Sequence, residues 1–131
     1  MKRYIGTKII YAEPSASTDG PEGTPGYKVT YSDGYISWSP KQAFDEAYRE
    51  CNAMTFGLAL EALKKGLKVS RSGWNGKGLW LELQIPDAHS KMTLPYVYMN
   101  YPVDAQNTPG ARVPWLASQT DMLAEDWSIV S

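Results

Sequence analysis

The run Val113, Pro114, Trp115, Leu116, Ala117, Ser118, Gln119, Thr120, Asp121, Met122, Leu123, Ala124, Glu125, Asp126, Trp127 places two indoles around a polar helix start. Tryptophan offers a broad π face, and a Ser or Asp at a helix N-terminus sits beside backbone N–H groups that favour anionic ligand atoms. Such a corner suits capture of a flat ring with a polar edge. Turnover is another matter. Asp121, Glu125 and Asp126 cluster, and paired carboxylates can act as acid and base. However, Asp121 and Glu125 lie four apart on one helical face, an ordinary solvated arrangement, and neither a His nor a Gly-rich phosphate loop accompanies them. No catalytic residue is expected.

The single His89 and single Cys51 leave no spacing that suggests a metal site, and no cofactor is expected. Cys51 fits a reducing compartment, and on the apolar face of a predicted helix it reads as a small buried hydrophobe. With 131 residues, 43% of them hydrophobic, the chain can bury a core as one domain or as a small domain with an added module. A net charge of −1 without a Lys or Arg run argues against nucleic acid polymers as partners. Neither a signal-peptide core nor an apolar run of membrane-spanning length is present, so the chain reads as cytosolic with no membrane partner.

Two modules must position these residues, 1–52 and 53–131. The first opens on an alternating stretch, Tyr4 to Glu13, followed by a Pro, Gly and Ser rich loop, Pro14 to Gly26, expected to be mobile. Tyr27, Val29 and Tyr31 alternate with polar residues, Asp33 and Gly34 supply a turn, and Tyr35 to Trp38 return as the second strand of a hairpin. Ser39 as N-cap, Pro40 at the first helical position and Gln42 predict a helix start, and Phe44, Ala47, Tyr48 and Cys51 form the face that packs on the hairpin.

In the second module Thr55 caps a helix with inner face Phe56, Ala59, Leu60 and Leu63, closed by Lys64, Lys65 and Gly66. A strand over Lys68 to Ser72, a turn at Asn75 and Gly76, and a strand in which Leu79, Leu81 and Leu83 oppose Trp80 come next. Another short strand carries Tyr96, Tyr98 and Asn100, and Pro102 to Gly110 is a polar loop. A short helix capped by Ser118, with Asp121 at its third position, precedes a last strand, Trp127 to Val130. The fold class is α+β, a mostly antiparallel sheet with two to three short helices.

Met54, Thr55, Phe56, Gly57, then Ala59, Leu60, Leu63, Lys64, Gly66, Val69, Arg71, Trp74, Asn75 and Gly76, together with Trp115 to Trp127, resemble the second Thoeris anti-defence family, small phage proteins that act as sponges for nucleotide immune signals. The resemblance covers roughly the C-terminal three-fifths of the chain. It implies immune evasion by binding, without cleavage, of cyclic ADP-ribose isomers such as glycocyclic ADP-ribose made by TIR-domain enzymes, in a homotetramer with pockets between protomers. Some family members also hold cyclic dinucleotides, the signals of CBASS immunity. Tyr4 to Lys8 and Asp33 to Pro40 resemble a small module common in phage and prophage proteins, without an assigned biochemical role.

A ligand of that kind has an adenine to stack, riboses to hydrogen-bond and a pyrophosphate to neutralise. Trp74 and Trp115, each beside turn or loop residues, are the expected stackers, whereas Trp80 and Trp127 sit within predicted strands. Arg71 is the expected pyrophosphate partner, since its guanidinium fork matches phosphate oxygens, with Lys77 and Arg112 secondary. Asn75, Asn100, Ser118, Thr120 and Asp121 offer donors and acceptors to riboses and adenine edges, and Tyr98 completes the ligand-binding set. Ser118 and Asp121 have an alternative use as an N-capping box. A sponge acting by mass action needs dissociation constants around nanomolar, about −12 kcal/mol. Two other functions compete with capture: hydrolysis of a cyclic nucleotide, and a phage protein-interaction module built on the nine tyrosines.

Overall fold

A computed structural model describes residues 1–17 and 23–130. The chain forms two compact units, Met1–Arg49 and Glu50–Ser131. Among the described residues, no helix is long and apolar enough to cross a membrane.

The first unit is a three-stranded antiparallel sheet of order β1-β2-β3, with β1 at Tyr11–Pro14, β2 at Gly26–Thr30 and β3 at Ile36–Pro40. The predicted hairpin is present. Gly34 takes a left-handed φ of 88°, and the Asp33 carboxylate accepts from the Tyr35 N–H at 3.0 Å, which closes the turn between β2 and β3. Two expectations change. Of the alternating Tyr4 to Glu13 stretch only the part from Tyr11 is a strand, which runs on to Pro14, because Tyr11 pairs with Thr30 and β2 ends there. The helix α1, Lys41–Ala47, starts later than the Ser39, Pro40, Gln42 pattern suggested. Ser39 remains in the ladder opposite Tyr27, and Pro40 takes the N-cap position with no side-chain cap bond.

Phe44 of α1 stacks on Tyr27 of β2, ring centres 4.0 Å apart, so the helix does pack on the hairpin. Since α1 stops at Ala47, Cys51 never reaches its apolar face and lies exposed in a turn. Part of the Pro14 to Gly26 loop, residues 18–22, falls outside the described residues. On its described flanks Ser15 donates to the Gly26 carbonyl and Ser17 to that of Thr24, which extends the β1–β2 ladder as far as Ser17 and Thr24.

The second unit is a five-stranded antiparallel sheet of order β7-β6-β5-β4-β8, with two helices on one face. Helix α2, Phe56–Lys64, begins where the Thr55 hydroxyl accepts from the Leu58 N–H, and ends where Gly66 adopts φ 83° and Leu67 donates back to Ala62. Its buried face is Ala59, Ala62 and Leu63, with Phe56 and Leu60 partly covered. Strands β4 (Lys68–Arg71), β5 (Trp80–Gln84), β6 (Tyr96–Asn100) and β8 (Trp127–Val130) match the sequence reading, while β7, Arg112–Pro114, was not anticipated. Helix α3, Gln119–Leu123, carries the expected capping box between Ser118 and Asp121.

Register separates the two faces. Val69 pairs with Leu81 and Ile129, and Leu81 with Met99, so these residues meet α2 and bury the core. Period two sends Lys68, Trp80, Glu82, Tyr98, Asn100 and Arg112 to the opposite face. Trp127 is the largest wholly buried side chain, as expected of the second indole in the run. Replacing Trp127 by Ala should cost roughly 4 kcal/mol, within the range for large aromatic-to-Ala core changes. Urea unfolding of the full chain checks this: a loss far larger than for Leu116→Ala, at a residue 92% exposed, is the expected outcome.

Candidate functional site

Strand β4 ends at Arg71, whose backbone pairs with Trp127 on β8. That register aims its guanidinium, only 12% exposed, at two carboxylates. Nη1 donates to Asp121 Oδ1 at 2.8 Å and Nε donates to Asp126 Oδ1 at 2.8 Å. The Trp74 Nε1–H donates to the same Asp121 Oδ1 at 3.0 Å, and the Ser118 hydroxyl and backbone N–H donate to Asp121 Oδ2 at 2.8 and 3.2 Å. The Asp121 carbonyl accepts from Trp127 Nε1 at 2.9 Å. One residue thus ties the start of α3 to β4, to Trp74 and to the core.

Burial pushes the Asp121 carboxyl up, but the bonds from Trp74, Arg71 and Ser118 outweigh it and hold the pKa at about 2. The Asp126 carboxyl is also held low, by Arg71 first and by the Gly73 N–H. Both carboxylates raise the guanidinium pKa, Asp126 more than Asp121. Gly73 donates to Asp126 Oδ2 at 2.7 Å, and a Cβ there would lie 2.7 Å from that oxygen, so a larger residue would have to displace the carboxylate.

Around this network stands an aromatic wall. Trp127 forms its base, with Trp74 and Phe56 each 5.4 Å and Trp115 6.0 Å from it, ring centre to ring centre. Trp74 and Trp115 meet edge on at 6.4 Å, and both remain half-buried. Asn75 follows Trp74 in an exposed turn, and Thr120 is exposed on α3. Seven of the nine expected ligand-binding residues therefore belong to the end of β4, the turn after it, and the Trp115 to Asp121 segment.

The other two, Tyr98 and Asn100, lie on the opposite face of the sheet. There Glu82 Oε2 accepts from Asn100 Nδ2 at 2.8 Å, from the Tyr98 hydroxyl at 3.1 Å and from Trp80 Nε1 at 3.3 Å. Arg112 Nε donates to Asn100 Oδ1 at 3.3 Å, and the Lys68 ammonium sits 5.3 Å from the Trp80 ring centre. Burial and the Glu82 carboxylate both raise the Tyr98 pKa. Sequence reasoning missed Glu82, and it named Asp126 only in a carboxylate cluster, not as a partner of Arg71. The alternation of Trp80, Leu81, Glu82, Leu83 held the signal for Glu82, whereas no spacing in the chain pointed from Asp126 to Arg71, 55 positions away.

A family model described as the Thoeris anti-defense 2-like domain matches residues 54–130. The chain belongs to this family. A protein of Bacillus phage SP01 named Thoeris anti-defense 2 is 47% identical over 85 residues, which span 60% of this chain and 96% of that protein. Both faces described above fall within the Thoeris anti-defense 2-like segment, and residues 1–53 precede it.

Two predictions follow from the Asp121 hub. Asp121→Asn keeps the shape but removes the charge that Arg71, Trp74 and Ser118 all meet. It should cost roughly 3 kcal/mol, as when one partner of a buried ion pair is lost, seen as a lower urea midpoint. In the wild type, a folded pKa of about 2 against an ordinary 3.8 makes the hub's contribution complete above pH 3.8 and lost as pH falls toward 2. That contribution is about 2 kcal/mol. Unfolding midpoints between pH 6 and pH 2 should fall more steeply in the wild type than in Asp121→Asn; parallel slopes would show that another group governs acid stability.

Proposed function

We propose that this chain opposes Thoeris immunity by capturing, without cleaving, a cyclic ADP-ribose-type signal in the infected cell. The observation that carries the reading is the Trp74–Trp115 pair, two half-buried indoles held edge to face inside the family-matched segment. An adenine stacks on the open side of such a pair, with Asn75, Ser118 and Thr120 near enough in the chain to meet ribose hydroxyls. Arg71, expected as the pyrophosphate partner, is occupied by two carboxylates and serves the pocket by holding its wall. Charge for the pyrophosphate then comes from Arg112, which is exposed on the other face beside Tyr98 and Asn100.

Because the sheet separates those two faces within a chain, a ligand that touches both groups must lie between protomers. This supports a homo-oligomer, a tetramer by the resemblance, whose pockets combine the indole pair of one copy with the Tyr98 face of another. Closure of that kind excludes water and preorganises the site, which nanomolar capture requires. Whether cyclic dinucleotides also enter is decided by offering them in the same assay.

The test incubates the full chain with a cyclic ADP-ribose isomer, retains the protein by filtration, heats the retained fraction and identifies what is released. Intact ligand is expected. Altered ligand would mean hydrolysis, and an empty fraction would leave a protein-interaction module. Trp115→Ala should weaken capture by about 1–3 kcal/mol, as for base stacking on aromatics, without disturbing the Asp121 bonds. Unchanged affinity in a folded variant would remove Trp115 from the pocket.

A further inference from the structure

The first unit ends one of its strands in the open. Tyr11 pairs with Thr30, the last residue of β2, and the turn to β3 follows at once, so among the described residues no strand of this unit lies alongside residues 1–10. Those residues are nonetheless rich in strand formers, with Tyr4, Ile5, Thr7, Ile9, Ile10 and Tyr11 in eight positions, and contain no Pro, Asp or Asn. They stand almost wholly in solvent: Ile5 is 101% exposed and Tyr4 89%, and Tyr11 within β1 remains 79% exposed. β1 is also an edge strand, with no neighbour beyond it in the sheet. A long, exposed, unpaired edge of this kind is what natural proteins cover, because it templates pairing with another chain.

We propose that residues 3–11 pair antiparallel with the same residues of a second copy of this chain, in a register centred on Thr7, and join two three-stranded sheets into one six-stranded sheet. A twofold axis normal to the sheet sets one residue opposite its own copy. Three such registers lie at the middle of the arm, and centring on Gly6 leaves no side-chain pair at the axis. Centring on Lys8 puts two ammonium groups face to face, which is destabilising. Centring on Thr7 gives a Thr–Thr pair, Ile5 opposite Ile9, Tyr4 opposite Ile10 and Arg3 opposite Tyr11. It also brings Arg3 diagonal to Glu13 of the other copy on one face, the charge complement of an arm with three cations, Lys2, Arg3 and Lys8, and no acid before Glu13. The Lys8 ammonium, 4.5 Å from the Tyr31 ring centre, keeps the arm in line with its own sheet. This contact lies outside the family-matched segment and stands whether or not a nucleotide signal is captured.

A register-specific crosslink tests the pairing in the full chain. In a Cys51→Ser background, Thr7→Cys places two thiols on directly opposed residues, whose Cα atoms lie about 4.5–5.5 Å apart in an antiparallel pair, within disulfide reach. Tyr4→Cys is the control, since its two copies would lie about 20 Å apart at roughly 3.4 Å per residue. Mild oxidation should convert Thr7→Cys to covalent dimer on a non-reducing gel and leave Tyr4→Cys at background. Adding Ile5→Asp should abolish the Thr7→Cys crosslink by burying a carboxylate opposite Ile9. Equal crosslinking at positions 4 and 7, persistence in Ile5→Asp, or no dimer from Thr7→Cys would each overturn the proposal.

Discussion

The Arg71 guanidinium, shared between Asp121 and Asp126, is the constraint on which the second unit depends. Its planar fork sends Nη1 and Nε to two carboxylates that belong to different elements, the first turn of α3 and the bend before β8. β4 supplies the fixed point, since Arg71 is locked opposite Trp127 by the ladder. An ion pair so covered adds little net stability over an apolar substitute, but it leaves few alternative arrangements, because any shift of α3 strands a charge. Specificity of position, more than depth of the energy well, is what this cluster contributes.

That fixed position propagates to the indoles. Trp74 is oriented through its Nε1–H to Asp121, and Trp127 through its own to the Asp121 carbonyl. The aspartate therefore holds two rings of the aromatic wall and starts a helix at the same time. Trp115 is located differently, by edge-to-face contact with both rings and by its backbone bond to Val97 on β6. The wall is anchored from β4, α3 and β6 together, so it does not rely on the turn in which Trp74 sits.

Much of this was legible because local rules and tertiary packing agree. Thr55, Gly66 and the Ser118, Asp121 pair mark helix ends by hydrogen bonds that span only a few residues, and all three appear as expected. The division of the indoles, Trp127 inward and Trp115 half-buried, follows from one belonging to a strand and the other lying near a loop. Failures occur where a distant partner decides. Ser39 and Pro40 carry a helix-start pattern, yet pairing with Tyr27 and Gly26 keeps them in a strand. Arg71 looks like a free cation until residues 50 and 55 positions away in the sequence arrive beside it. The resemblance groups Tyr98 and Asn100 with Trp74 as ligand-binding residues, and only strand register puts the sheet between them.

The two faces also differ in how their polar groups are satisfied, and this bears on what each can do. On the α3 side, Asp121 accepts from four donors, so its carboxylate has little capacity left for a ligand. What remains open there is ring surface. On the opposite face, Glu82 gathers three donors on Oε2, and Arg112 gives one bond to Asn100 while staying exposed. What remains open there is positive charge, because Asn100 is buried with both amide atoms already bonded. A nucleotide needs both kinds of surface, and the sheet keeps them apart in each chain. Juxtaposing them takes a second copy, which makes assembly a condition of binding in the proposed capture and not an addition to it.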